Sequence, residues 1–183
     1  MREIEIARGG FTVFARVLGD ARAPALLYLQ GGPGFPAPRQ RFEWVTHALE
    51  RGYQVVLLDQ RGTGRSTRID SATPELIRTD VLASLRADEI VADAEALREE
   101  MGLDRWDVLG QSFGGFCLMH YLAAHPDSVG RALFTGGVPS IGEGADEVYR
   151  ATFAKLKRRH LQFNEAYPAA EAMVREVCRH LEA

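Results

Sequence analysis

The sequence predicts an α/β fold in which a largely parallel sheet carries helices on both faces. Three observations support this. Short apolar runs recur along the chain, glycine-rich turns close several of them, and stretches of helical period separate them. From Ala25 onward the order reads β-α-β-α-β-α-β. The bulk numbers fit one soluble globular domain: 183 residues, 46% hydrophobic, 26% charged and a formal net charge of -3. There is no basic excess of the kind that binds nucleic acid.

Glu3–Ala7, a Gly9-Gly10 turn, Thr12–Leu18, a turn at Gly19-Asp20 and Ala25–Gln30 read as a β-meander. The last run is short and continuously apolar, as expected for a strand buried on both faces. Gly31-Gly32-Pro33-Gly34-Phe35-Pro36 can be neither helix nor strand and must be a shaped loop. Arg41–Arg51 has a helical stripe of Phe42, Val45 and Leu49, and Tyr53–Leu58 is a second buried strand. Thr73-Pro74-Glu75 has a capping hydroxyl, a first-position proline and a first-turn acid, so it predicts a helix start.

Ala87–Met101 predicts a clearer helix, with Ile90, Val91, Ala94, Leu97 and Met101 on one face and Gly102 ending it. Strand Trp106–Leu109, helix Phe116–Leu122 and strand Arg131–Thr135 follow, the last closing on Gly136-Gly137. After Val138-Pro139-Ser140 two amphipathic helices are expected, Ala145–Phe163 and Ala169–Leu181. Their stripes are Tyr149, Phe153, Leu156, His160 and Phe163, then Met173, Val174, Val177 and Leu181, and both are expected to face a core. Residues 1–139 thus form the sheet-bearing core, and residues 140–183 the beginning of a helical cap.

The chemistry concentrates at Leu109-Gly110-Gln111-Ser112-Phe113-Gly114-Gly115, a Gly-x-Ser-x-Gly pattern between a predicted strand and a predicted helix. Such a turn holds a serine in a strained conformation so that its hydroxyl stands clear of the sheet. Side chains at Gly110 or Gly114 would collide with the neighbouring strand or helix. The helix also aims its positive end at Ser112, where negative charge develops during acyl transfer. Two backbone N–H groups must hold that charge. One comes from the residue after the nucleophile, Phe113, and the other from the loop of Gly31, Gly32, Pro33 and Gly34, with Gly32 as the candidate donor.

Three segments together are similar to the proline iminopeptidases of the α/β-hydrolase superfamily. They are Gly31-Gly32-Pro33-Gly34, Asp59-Gln60-Arg61-Gly62-Thr63-Gly64-Arg65-Ser66 and Gly110-Gln111-Ser112-Phe113-Gly114-Gly115. The resemblance runs from about Leu26 to Pro139. It implies an α/β-hydrolase fold and a serine exopeptidase that releases N-terminal proline from small peptides, with Ser112 as nucleophile and a helical cap that recognises the free amine. No cofactor is expected. Where many members have His-Gly-Gly-Pro-Gly, this chain begins the loop with Gln30.

The family's triad Asp and His lie on loops after strands that this chain does not contain, so the sheet is expected to be incomplete and the chain an N-terminal fragment. No histidine substitutes. His120 starts ~12 Å from Ser112 along the helix axis at 1.5 Å per residue, and His125 is further still. His47, His160 and His180 belong to other helices. Asp59 is expected to pair with Arg61 or Arg65, or to accept backbone N–H groups. Glu143, Glu147 and Glu165 are left unassigned as amine-binding carboxylates.

No His/Cys/Asp cluster has metal-ligand spacing, and no dinucleotide fingerprint occurs. No apolar run approaches the ~20 residues of a membrane span. The N-terminus lacks a signal peptide's apolar block, and two cysteines, Cys117 and Cys178, fit a cytoplasmic location. Two other functions remain open: a general carboxylester or amide hydrolase, and a non-catalytic binding protein on the same fold.

Overall fold

The computed structural model describes residues 1–137 and 144–181. The chain divides into two compact units, Met1–Val138 and Pro139–Ala183. The predicted boundary Val138-Pro139-Ser140, and Glu143, lie outside the described residues.

Six strands form the sheet of the first unit: β1 (Arg2–Arg8), β2 (Phe11–Leu18), β3 (Ala25–Leu29), β4 (Gln54–Asp59), β5 (Trp106–Gln111) and β6 (Val129–Thr135). Their order across the sheet is β1-β2-β4-β3-β5-β6. β1 and β2 make an antiparallel hairpin whose Gly9-Gly10 turn has φ of 58° and 81°. Positive φ at both central residues is what a two-residue hairpin turn matching strand twist requires. β2 pairs antiparallel with β4, while β3–β4, β3–β5 and β5–β6 are parallel.

The expected meander stops after its hairpin, because β4 inserts between β2 and β3. The burial explains this. Every residue of β3 and β4 is buried, and a strand apolar on both faces belongs in the sheet centre with both edges paired.

Helix α1 (Glu43–Glu50) leads from β3 to β4, while α2 (Thr79–Leu82) and α3 (Ala87–Glu100) lead from β4 to β5. Helix α4 (Phe113–Ala124) connects β5 to β6. One apolar cluster sets Val45 of α1 against Leu18, Tyr28, Val55 and Leu57. The other gathers Ile90, Val91, Ala94 and Leu97 of α3 with Leu118 and Tyr121 of α4, over Val13, Leu27, Val56, Leu58 and Val108. The two clusters use alternate residues of the same strands, so they lie on opposite faces of the sheet. Right-handed crossovers require this arrangement, since the chain moves one way from β3 to β4 and the other way from β4 to β5.

A buried polar relay fixes α4. Trp106 Nε1 donates to the Tyr121 hydroxyl at 3.0 Å, and that hydroxyl donates to Glu95 at 2.7 Å. Burial works against ionisation of Glu95, but hydrogen bonds from Arg98, Tyr121 and Ser128 prevail and hold its carboxyl down at about 2. Cys117 is fully buried, and burial pushes its thiol up to about 12, which fits a small core residue.

The predicted helix at Thr73 is a single 3-10 turn, Pro74–Leu76. The Thr73 hydroxyl does not cap it; it accepts from the Asp70 N–H and donates to the Arg68 carbonyl. In the second unit, α5 (Ala145–Ala166) and α6 (Ala170–Leu181) match the expected helices. Their stripes were expected to face a core, yet neither helix has a buried residue, and Tyr149, Phe153, Met173 and Leu181 are exposed. Two helices alone cannot enclose both stripes. No helix among the described residues is long and apolar enough to cross a membrane.

Candidate active site

The strand order reverses at β3: the chain passes from β3 to β4 on one side, then returns to β5 on the other. The connections leaving β3 and β5 therefore part to opposite faces and open a crevice beyond the strands' C-terminal ends, where α/β sheets bind their ligands. The two segments singled out in the sequence both sit there. The glycine loop follows β3 and the serine turn follows β5.

Ser112 joins β5 directly to α4 with φ 52° and ψ -118°. Among the described residues it is the only non-glycine with positive φ. Such a conformation costs about 1–3 kcal/mol and persists where its surroundings determine it. Here the Ser112 N–H donates to the Thr135 carbonyl at 2.9 Å, and the Gly115 N–H donates to the Ser112 carbonyl at 2.8 Å.

The glycines around it are required sterically. A Cβ on Gly114 would come 1.8 Å from the Leu29 carbonyl oxygen, and one on Gly110 would come 2.5 Å from the Gly114 oxygen. These are the collisions expected at both positions. Two further glycines act the same way, although the Gly-x-Ser-x-Gly pattern does not include them. A Cβ on Gly115 would meet the Gly137 oxygen at 1.9 Å, and one on Gly137 the Ser112 oxygen at 1.9 Å. Their signal was present as the paired glycines Gly114-Gly115 and Gly136-Gly137.

The loop lies directly against this turn. A Cβ on Gly31 would come 2.9 Å from both Ser112 Cβ and Gln111 Oε1. The Gly31 N–H donates to Gln111 Oε1 at 3.1 Å and is thereby used. Pro33, which follows a cis peptide bond, has no N–H. The Gly32 N–H has no hydrogen-bond partner among the described residues. Neither has the Phe113 N–H, which as the first residue of α4 has no intrahelical acceptor. Ser112 and Phe113 are half-buried, and Gly32 and Gly34 are exposed.

The alpha/beta hydrolase fold family matches residues 24–173 of this sequence. The chain belongs to that family. It is 45% identical to a proline iminopeptidase of Aeromonas sobria, over 93% of its own length and 43% of the relative's. It is 35% identical to a proline iminopeptidase of Aspergillus aculeatus, over 94% of its length and 43% of that protein. Among solved structures it resembles a proline iminopeptidase-related protein of Thermus thermophilus, with a TM-score of 0.54 and 29% identity, covering 73% of this chain and 44% of that one. The resemblance read from the three motifs therefore holds, and the chain spans less than half the length of these relatives.

Other residues of the chain take roles that local sequence did not disclose. Asp59 is fully buried and saturated: it accepts from the Ala37 and Arg65 N–H groups at 2.9 and 2.8 Å and from both terminal nitrogens of Arg39. Its backbone contact to Arg65 was expected, but its ionic partner is Arg39 rather than Arg61 or the Arg65 side chain. Arg61 instead forks onto buried Asp93 at 2.7 and 2.5 Å. A carboxylate so occupied has no lone pair left to orient a histidine.

Gln30 is nine-tenths buried or more, and its Nε2 donates to the Leu58 and Phe35 carbonyls at 3.0 and 3.1 Å. It ties both ends of the loop to β4. His120 and His47 are exposed on α4 and α1, and His125 stacks edge-on against Tyr121. His160 pairs with Asn164 in the second unit. None of the five histidines hydrogen-bonds Ser112 among the described residues.

Proposed function

We propose that this chain is the N-terminal portion of a serine hydrolase of the proline iminopeptidase type. In this reading, the sheet-bearing unit carries the nucleophile, and α5 and α6 begin a cap that recognises the substrate's free amine. Ser112 Oγ attacks the carbonyl carbon of an N-terminal proline, and the carbonyl oxygen takes up the negative charge. The N–H groups of Gly32 and Phe113 hold that oxyanion, with the positive end of α4 behind it. Collapse expels the shortened peptide as an amine and leaves a prolyl ester on Ser112. Water then releases free proline.

The proton removed from Ser112 needs a base, and we place the triad histidine and its aspartate in sequence outside these 183 residues. Serine without its base keeps only the residual contribution of oxyanion hole and binding. The 183-residue chain alone is then weakly active or inactive. A cytoplasmic location and small peptide substrates accompany this reading.

The observation that carries it is Ser112, held at positive φ between β5 and α4 and packed against a loop whose Gly32 N–H has no partner among the described residues. Substrate class is tested by comparing chromophore release from a proline arylamide and from a short acyl ester, using the complete gene product. Faster turnover of the arylamide supports the peptidase. Ester cleavage alone would leave a general carboxylester hydrolase, and turnover of neither, a binding protein.

A further inference from the structure

We propose that Gln111 is a positioning residue that locks the Gly31–Gly34 loop against the nucleophile turn and so presents the Gly32 N–H to the oxyanion. This rests on the serine hydrolase reading above and adds to it a residue whose side chain does not touch the reacting atoms.

One atom does the work. Gln111 Oε1 accepts the Gly31 N–H at 3.1 Å and the Tyr28 hydroxyl at 3.0 Å. Tyr28 is a firm pillar: it is 7% exposed at the heart of β3, and its ring packs on Trp44 at 4.9 Å between centroids. Burial raises its pKa, so it remains a hydroxyl donor at neutral pH. Two donors converging on one oxygen fix the amide, and the amide fixes the loop.

With Gly31 occupied and Pro33 lacking an N–H, the next N–H along the loop is that of Gly32. Gln30 and Gln60 hold the rest: Gln30 Nε2 ties the Phe35 carbonyl, and Gln60 Nε2 donates to the Gln30 carbonyl at 3.2 Å. The latch is best made by an uncharged acceptor. A carboxylate would accept the same two hydrogen bonds but would set a negative charge beside the developing oxyanion. Gln111 is solvent-exposed, so replacing it leaves the core intact.

The test uses the complete gene product with a proline arylamide. Gln111→Leu is expected to lower kcat about tenfold or more with KM within about twofold, the pattern of a lost transition-state interaction. Its Gly31 amide should lose protection in hydrogen exchange. Tyr28→Phe should give a smaller loss of the same kind. Gln111→Glu keeps both acceptors and should retain Gly31 protection. Its activity relative to wild type should fall at neutral pH and climb as the carboxyl is protonated. A purely structural glutamine would not produce that pH profile.

A Gln111→Leu enzyme with kcat within twofold of wild type, unchanged Gly31 exchange, or a kcat loss matched by loss of folded protein would each overturn the proposal. An inactive wild type would instead remove the hydrolase reading on which it rests.

Discussion

The Ser112 N–H donates to the carbonyl of Thr135, the last residue of β6, at 2.9 Å. The strained turn is thereby tied to the strand that follows α4, and a single serine couples three successive elements. The consequences for stability and chemistry differ from one residue of the turn to the next.

Gly114 tolerates no side chain. A Cβ at 1.8 Å from a backbone oxygen can be relieved only by moving β3 or α4. Gly114→Ala is expected to cost about 3 kcal/mol or more, at the severe end for overpacking. Gly102→Ala, at φ 65° with nothing within 4 Å, should cost only about 1–2 kcal/mol from conformation alone. Denaturant titration of both variants checks the contrast.

Ser112→Gly should make the protein more stable while removing the proposed nucleophile. Releasing positive-φ strain gains about 1–3 kcal/mol, and the more flexible unfolded chain returns about 0.4–1 of it. A rise in denaturation midpoint is expected. A drop would mean that the backbone here is unstrained or that the hydroxyl makes a stabilising contact.

The Arg61–Asp93 pair is desolvated, with both side chains 1% exposed. Asp93→Ala would remove both bonds of the fork and leave the buried Arg61 guanidinium only Glu89 at 3.2 Å and the Ser84 carbonyl at 3.3 Å, so it should cost about 3 kcal/mol, the low end for breaking a buried pair. The rim pair Arg65–Glu5, 3.5 Å apart and more than half exposed on both sides, should contribute far less, because solvent screens it. Removing Glu5 and Asp93 separately, and measuring unfolding free energy, compares the two directly.

Acid should weaken the clamp beneath α4. The Glu95 carboxyl lies at about 2 in the folded protein against 4.5 as its ordinary value. The folded value is depressed, so the stability it contributes is full above about 4.5 and is lost as pH falls toward 2. Glu95→Gln should be less stable at neutral pH and should show a shallower decline of melting temperature between pH 5 and about 2. An identical acid slope in both proteins would contradict this assignment.

Much of the architecture could be read from residue spacing because the relevant signals are local. The all-apolar runs ending at Leu29 and Leu58 mark central strands, and the 3.6-residue stripe of Ile90, Ala94 and Leu97 marks α3. The glycines flanking Ser112 mark a turn with no room for side chains. Partner choice was not legible. The composition of β4 says that it is buried, not that it lies between β2 and β3. Likewise Asp59 has arginines two and six residues away, yet bonds to the side chain of Arg39, twenty residues upstream. The Tyr28–Gln111 contact spans 83 positions and joins two strands adjacent only in the folded sheet. Such pairings depend on topology, which single-sequence patterns leave open.

The central claim is that Ser112 is a nucleophile facing backbone donors, and a fluorophosphonate probe addresses it directly. Mass-spectrometric mapping of the labelled complete gene product should find the adduct on Ser112, with none in Ser112→Ala and weak labelling at most in the 183-residue chain. An adduct on another residue, or a complete protein that resists the probe while folded, would contradict the account.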